Sequence, residues 1–298
     1  MTAPEKHVII VVGPTASGKT TLAIELAKHF HTEIISADSR QCYQELNIGV
    51  ARPSPEELAT VPHHFIASHT VHQELTAVDF EQFALEKTRE LFLTKDVVVM
   101  VGGTGLYIRA FCEGFDPVPA VAPSVRAGIV ANYNEKGIEW LQQELKEKDP
   151  RFAAVGEMMN PQRMMRALEV IESTGNSITD FQKGNKLVRP FKISKIALGL
   201  PGAELRDRIS QRVDQMMQKG LLEEVKGLLP FQELNTLRTV GYAELFDHLD
   251  GKTSLEKAVD LIKIHTRQYA KRQLTWFRKD ESIEWFGPSE AEKIIDGL

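Results

Sequence analysis

The segment His7-Val-Ile-Ile-Val-Val12 is almost wholly apolar, and the stretch after it, Lys19 to Phe30, spaces its apolar residues at helical intervals. A continuous apolar run predicts a strand buried on both faces, and a spacing of three and four predicts a helix with one buried face. The same pair recurs along the first part of the chain. Strands are predicted over 7–12, 33–37 and 97–101, and helices over 18–30, near 79–94 and over 104–113. This alternation predicts an α/β fold: a parallel sheet flanked by helices on both faces.

The pattern then changes. Gly114-Phe-Asp-Pro-Val-Pro-Ala-Val-Ala-Pro123 is a proline-rich connection. Residues 124–182 read as wholly helical, with a break at Pro161-Gln-Arg163. A strand returns at 192–200, followed by helices over 203–219, 221–229 and, after the Asp250-Gly251 turn, 254–278. The organisation predicted is a discontinuous core, 1–115 and 190–298, carrying an inserted all-helical domain at 116–189. A chain of 298 residues has room for both.

Composition adds little beyond a globular class, with 42% hydrophobic and 26% charged residues. Met1-Thr-Ala-Pro-Glu-Lys6 lacks the apolar centre of a signal peptide, and the first apolar run is too short to span a membrane. Two cysteines, Cys42 and Cys112, make neither a disulfide framework nor a zinc site. A cytoplasmic location without membrane association is the resulting expectation.

Chemistry enters at residues 13–20, Gly13-Pro14-Thr15-Ala16-Ser17-Gly18-Lys19-Thr20, a complete G-x-x-x-x-G-K-[ST] loop between a predicted strand and helix. That context predicts a P-loop NTPase-like core. Backbone N–H groups and the positive helix end favour a phosphate there, Lys19 adds a full charge, and the Thr20 hydroxyl is within reach of a magnesium ion. A glycine-rich turn that binds nothing is the alternative. An ATP-binding, phosphoryl-transferring reading also needs a carboxylate at the end of a second strand. The best such strand, Asp96–Val101, ends in Gly102-Gly-Thr-Gly105 with no acid.

Asp38 and Ser39 follow the second predicted strand and so fall beside the P-loop, because ligands of open α/β sheets lie at the carboxyl ends of the strands. A carboxylate repels phosphate, so Asp38 must hold a metal, pair with a cation, accept a proton, or cap a turn. The glycines of 102–105 allow close backbone approach to a ligand, with Thr104 as a hydrogen-bond donor. Helix 203–219 carries Arg206, Arg208 and Arg212. One of them is expected at the polyphosphate, and surface pairing with Glu204, Asp207 or Asp214 is the alternative. His63-His64 is too incomplete for a metal site, which leaves a structural or substrate-contacting role. The net charge is −5, yet Lys263, Arg267, Lys271, Arg272, Arg278 and Lys279 fall in a stretch without an acid. That stretch predicts a basic helix face, either merely solvated or a docking surface for a polyanion.

Taken together these strings resemble the bacterial tRNA dimethylallyltransferases, the isopentenyl transferase family. The resemblance is carried by Gly13–Thr20, Asp38-Ser-Arg-Gln-Cys-Tyr43, Asn47-Ile-Gly49, Pro62-His-His-Phe-Ile66, Gly102–Tyr107, Asn160-Pro-Gln-Arg163 and Arg166-Ala-Leu-Glu-Val170. It continues through Arg212-Val-Asp214, Met217, Gly220–Val225, Val240-Gly-Tyr242 and Thr266–Arg278, over almost the whole chain. One departure is Gly49-Val-Ala-Arg-Pro53, where the family usually has Gly-Thr-Ala-Lys-Pro; Arg52 keeps the charge.

The resemblance implies transfer of a dimethylallyl group from dimethylallyl diphosphate to N6 of adenosine 37 in tRNA, with the P-loop gripping a diphosphate and not ATP. It implies Asp38 as the general base, Thr104 at the bridging oxygen, and Lys19, Arg212, the loop amides and Mg2+ on the diphosphate. It further implies tRNA contacts from Asp38, Ser39, Arg40, Gln41 and Thr104 at the flipped base. Arg126, Gln162, Arg163, Met164, Met165 and Arg166 would grip the anticodon stem-loop from the insertion, and Arg267 and Lys271 would meet it from the basic helix. A monomer is expected. Three other readings compete: a small-molecule kinase, a free-adenylate isopentenyltransferase, and a non-catalytic RNA binder using a nucleotide as a switch.

Overall fold

The computed structural model describes residues 5–182, 184–287 and 290–298. Met1–Pro4, which open the segment read above for a leader, lie outside them. The described residues form two compact units, Glu113–Leu187 and the remainder of the chain on either side of it.

The larger unit is built on one parallel sheet of β1 His7–Val12, β2 Ile34–Ser36, β3 His63–His64, β4 Val97–Val101, β5 Lys192–Leu198 and β6 Ile283–Phe286, in the order β3-β2-β4-β1-β5-β6. Every residue of β1 is buried. Val8, Ile10 and Val12 enter one apolar core, and Ile9 and Val11 enter the core on the opposite face. That two-sided burial is the reason for the unbroken apolar run. The register pairs His7 with Val97 on one side and with Lys192 on the other. The carboxyl ends of β1, β4 and β5 therefore reach the same edge of the sheet, and the P-loop and Gly102–Gly105 emerge there together.

Helices cover both faces: α1 Lys19–His29, α2 Pro55–Thr60, α3 Ala77–Leu91 and α4 Gly105–Glu113 from the first part of the chain. The smaller unit holds α5 Pro123–Lys148, α6 Pro150–Val155, α7 Pro161–Thr174 and α8 Ile178–Phe181. The last part supplies α9 Gly202–Gln218, α10 Leu221–Gly227, α11 Tyr242–Leu249, α12 Leu255–Phe277 and α13 Ala291–Asp296. Among these, α2, β3, α11, β6 and α13 were not expected from the sequence. Each is eight residues or shorter, too brief to display a period.

The smaller unit also corrects three expectations. Its helical stretch is interrupted before Pro161 and not within 161–163: α6 ends at Val155, and Asn160 caps a new helix by accepting from the Arg163 N–H at 3.3 Å. Pro161 then stands at the first helical position, where its missing N–H costs nothing. Inside α5, Gly137 leaves the helical region and kinks the element. Finally, Met164 and Met165 are buried in the unit's core with Ile129, Leu141, Leu145, Phe152 and Leu168. Both thioethers face inward from α7. Gln162 and Arg163 are exposed and Arg166 is half-buried.

Candidate active site

The P-loop takes its shape from residues in the left-handed region, Ala16 at φ 65° and Gly18 at φ 94°. Such turns gather successive backbone N–H groups into an anion-binding concavity. The Ser17 hydroxyl is buried there without a hydrogen-bond partner. Two cations close on the loop. Lys19 Nζ donates to the Pro14 carbonyl at 2.6 Å, and Arg212, from α9, donates to Thr15 Oγ1 at 3.2 Å. Arg208, one turn earlier, instead pairs with Glu204 at the surface at 2.8 Å.

Burial, with the neighbouring Arg212 charge adding to it and Asp38 opposing, pushes the Lys19 ammonium down to about 7. Inorganic diphosphate in the loop favours the charged form, so the free protein takes up a proton on binding above that pH. Affinity is expected to fall as pH rises from 7 to 9, by at most about tenfold per unit. Calorimetry at pH 8 in buffers of different ionisation enthalpy measures the uptake. Equal uptake by the wild type and Lys19→Met would overturn the assignment.

Asp38 leaves β2 one residue past Ala37, whose N–H pairs with the Val101 carbonyl. Its Oδ1 accepts the N–H groups of Arg40 at 2.8 Å and Gln41 at 3.2 Å, and Oδ2 has no hydrogen-bond partner among the described residues. The Thr104 hydroxyl accepts from the Ser39 N–H at 3.0 Å and donates to Ser39 Oγ at 3.3 Å. Thr15, Asp38, Ser39, Arg40 and Arg212 share one cavity of about 340 Å³. Val50, Val213, Met216, Val240 and Ile262 also line it, beside the polar Arg238, Thr266 and Arg272. The cavity thus holds cations, a carboxylate and apolar side chains together, and can take a ligand with an anionic head and a short hydrocarbon tail.

The remaining site residues fall as follows. Gln41 turns inward and donates to the Val50 and Ala51 carbonyls. Arg52 donates to the carbonyls of Tyr43, Gln44 and Leu46, so its charge is spent on backbone. Arg126, Gln162, Arg163 and Arg166 belong to the smaller unit. On α12, Lys263 pairs with Asp214 at 2.6 Å and Arg267 donates to Ser210 at 2.7 Å, so both are committed to α9. Arg267 thus reaches α9 with one terminal nitrogen, and its Nε has no hydrogen-bond partner among the described residues. Lys271 instead lines an open groove with Gln268, Arg272, Thr275, Trp276 and Lys279. His63 and His64 form the edge strand β3, with His64 on Glu33 at 2.6 Å. Among the described residues, no three His, Cys, Asp or Glu are placed to hold a metal.

Three residues here stood in the strings that carry the resemblance but were given no role from the sequence. Gln273, on α12, accepts from the Thr15 N–H at 2.9 Å and donates to the Gly103 carbonyl at 3.0 Å, tying the two phosphate-side loops together. A Cβ on Gly103 would stand 2.1 Å from that amide, which accounts for the glycine. Glu224 accepts the N–H groups of Asn47, Ile48 and Gly49 and the Tyr242 hydroxyl, and so fixes the turn that carries Val50. Tyr269 lines the cavity, and its phenol is pushed up to about 12 by burial and the Asp38 charge, so it stays neutral. No helix among the described residues is long and apolar enough to cross a membrane.

Comparison with known proteins places these features in context. A family model described as IPP transferase matches residues 41–280. A Christiangramia forsetii protein named tRNA dimethylallyltransferase is 48% identical over 97% of this chain and 96% of its own length. A Bacteroides thetaiotaomicron protein named tRNA dimethylallyltransferase 1 is 44% identical over 97% and 94%. The solved full-length tRNA isopentenylpyrophosphate transferase of Bacillus halodurans superposes with a TM-score of 0.73 at 34% identity, covering 98% of this chain and 95% of that one.

Proposed function

The chain belongs to the IPP transferase family, and on that premise we propose that it transfers the dimethylallyl group of dimethylallyl diphosphate to N6 of adenosine 37 in tRNA. The observation that carries this reading is the single cavity lined by Thr15 of the P-loop, Arg212, Asp38 and apolar side chains. Against a kinase, the strand that should end in a metal-holding acid ends in glycine.

The chemistry follows from these groups. The adenine N6 attacks C1 of the allyl chain, the N–C1 bond forms as the C1–O bond breaks, and diphosphate leaves. An exocyclic amine is a weak nucleophile, because its lone pair is delocalised into the ring. Asp38 accepts its proton as the bond forms. Thr104 donates to the bridging oxygen, and Lys19, Arg212 and the loop amides hold the charge that develops on the diphosphate. The base must leave its stack to reach this point, and Ser39 and Arg40 stand at the cavity to receive it.

Thr20, in the first turn of α1, offers one hard oxygen and would hold a magnesium ion at the diphosphate. Bound there, it would neutralise charge on the leaving diphosphate. The enzyme acts as a cytoplasmic monomer, with the helical unit gripping the anticodon stem-loop through Gln162, Arg163 and Arg166.

The test is a transfer assay with purified protein, magnesium, labelled dimethylallyl diphosphate and unmodified tRNA, with AMP and ATP as alternative substrates. Label at adenosine 37 is expected. Label on AMP alone would select a free-nucleotide enzyme, and phosphate release from ATP without label would select a kinase.

A further inference from the structure

Glu169 is the one glutamate in the core face of α7. Its side chain is only 1% exposed, yet it ends in a carboxyl group. A carboxylate is buried at such cost only when it is paired and hydrogen-bonded. Both of its oxygens are used. Oε1 accepts from Arg126 at 3.0 Å and Oε2 from Arg166 at 3.2 Å. The arginines come from different helices, Arg126 from the first turn of α5 and Arg166 from α7, and their side chains stay 51% and 38% exposed. Each guanidinium spends one terminal nitrogen on the carboxylate and keeps its other N–H donors.

We propose that Glu169 is a positioning residue for tRNA. It holds two arginine forks side by side, so that their outward donors meet the RNA without first being ordered. Without the carboxylate, two long side chains of like charge would repel each other and sample many rotamers. Each immobilised side chain of this kind costs affinity when it must be fixed on binding. This inference rests on the reading of the chain as a tRNA-modifying enzyme.

The proposal has an unusual sign. Counting charges, Glu169→Gln removes a negative charge near the RNA and should tighten binding. Preorganisation predicts the reverse: the KM for tRNA rises about tenfold, with kcat and the KM for dimethylallyl diphosphate unchanged. Glu169→Asp, which keeps the charge but shortens the reach, is expected to weaken tRNA binding as well, and it decides the matter if the glutamine variant melts early. In an Arg126→Ala, Arg166→Ala background, adding Glu169→Gln should cost nothing more, because its action runs through those side chains. Wild-type or tighter tRNA binding by both Glu169 variants would overturn the proposal, provided that the arginine variants themselves bind weakly. No transfer to tRNA by the wild type would instead overturn the functional reading, and the two failures are distinct.

Discussion

Asp38→Asn is expected to reduce kcat for prenyl transfer by about 10²–10⁴, while tRNA affinity changes by no more than about twofold. The separation follows from how the carboxylate is held. The Oδ1 that accepts the Arg40 and Gln41 N–H groups has an equivalent in the asparagine carbonyl, so the turn survives the change. What is lost is the ability to take a proton, since an amide is no base near neutral pH. Single-turnover transfer rates and filter binding measure the two quantities separately. Full turnover in the asparagine variant would remove Asp38 as the base. A parallel loss of tRNA binding would make it a substrate-holding residue instead.

The second large effect is expected at Arg212. Arg212→Met should cost about 10²–10³ in kcat/KM for dimethylallyl diphosphate, the usual loss for one donor of a preorganised anion site. Arg208→Met, one turn away, should cost almost nothing, because a solvent-exposed pair with Glu204 contributes little. The contrast removes net charge as an explanation, since both variants lose the same charge from the same helix. Equal kinetics in the two variants would remove Arg212 from the site. Lysine is a poor substitute at 212, because it cannot reach Thr15 and an anion together with one planar fork.

Much of this arrangement is legible in the sequence, and the boundary of legibility is physical. The P-loop and the central strands are local signals: contiguous strings whose meaning depends on neighbours a few positions away. Spacing narrowed the cation to one of three arginines and only the resemblance singled out Arg212, because spacing along a helix does not say which face meets the loop. Gln273 lay within the Thr266–Arg278 string, but nothing there assigned it a role. It is a polar residue inside a basic amphipathic helix, and its partner Thr15 lies 258 positions away. Met164 and Met165 were read with Gln162, Arg163 and Arg166 as tRNA contacts, whereas both lie on the buried side of α7. The apolar positions 164, 165 and 168 already mark a buried stripe. In the basic stretch, equal spacing put Lys263, Arg267 and Lys271 on one face, and the first two each reach a residue of α9.

The sheet order has a consequence for how the protein is made. β1 precedes the other five strands of the sheet in the chain, yet one of its two neighbours is β5, and the His7–Ser194 side-chain contact spans 187 positions. The bonds that complete the phosphate loop span 197 positions to Arg212 and 258 to Gln273. On a ribosome, β1 with β4 and β2 can pair early, but one edge of β1 stays open until the helical unit and β5 have followed. Synthesis at about 5–20 residues per second leaves that apolar edge unpaired for several seconds. Contacts of such sequence separation also close slowly, through the entropy of the loop between them. The helix that carries Gln273 emerges near the end, so the catalytic loop is the last part of the larger unit to acquire its final partners.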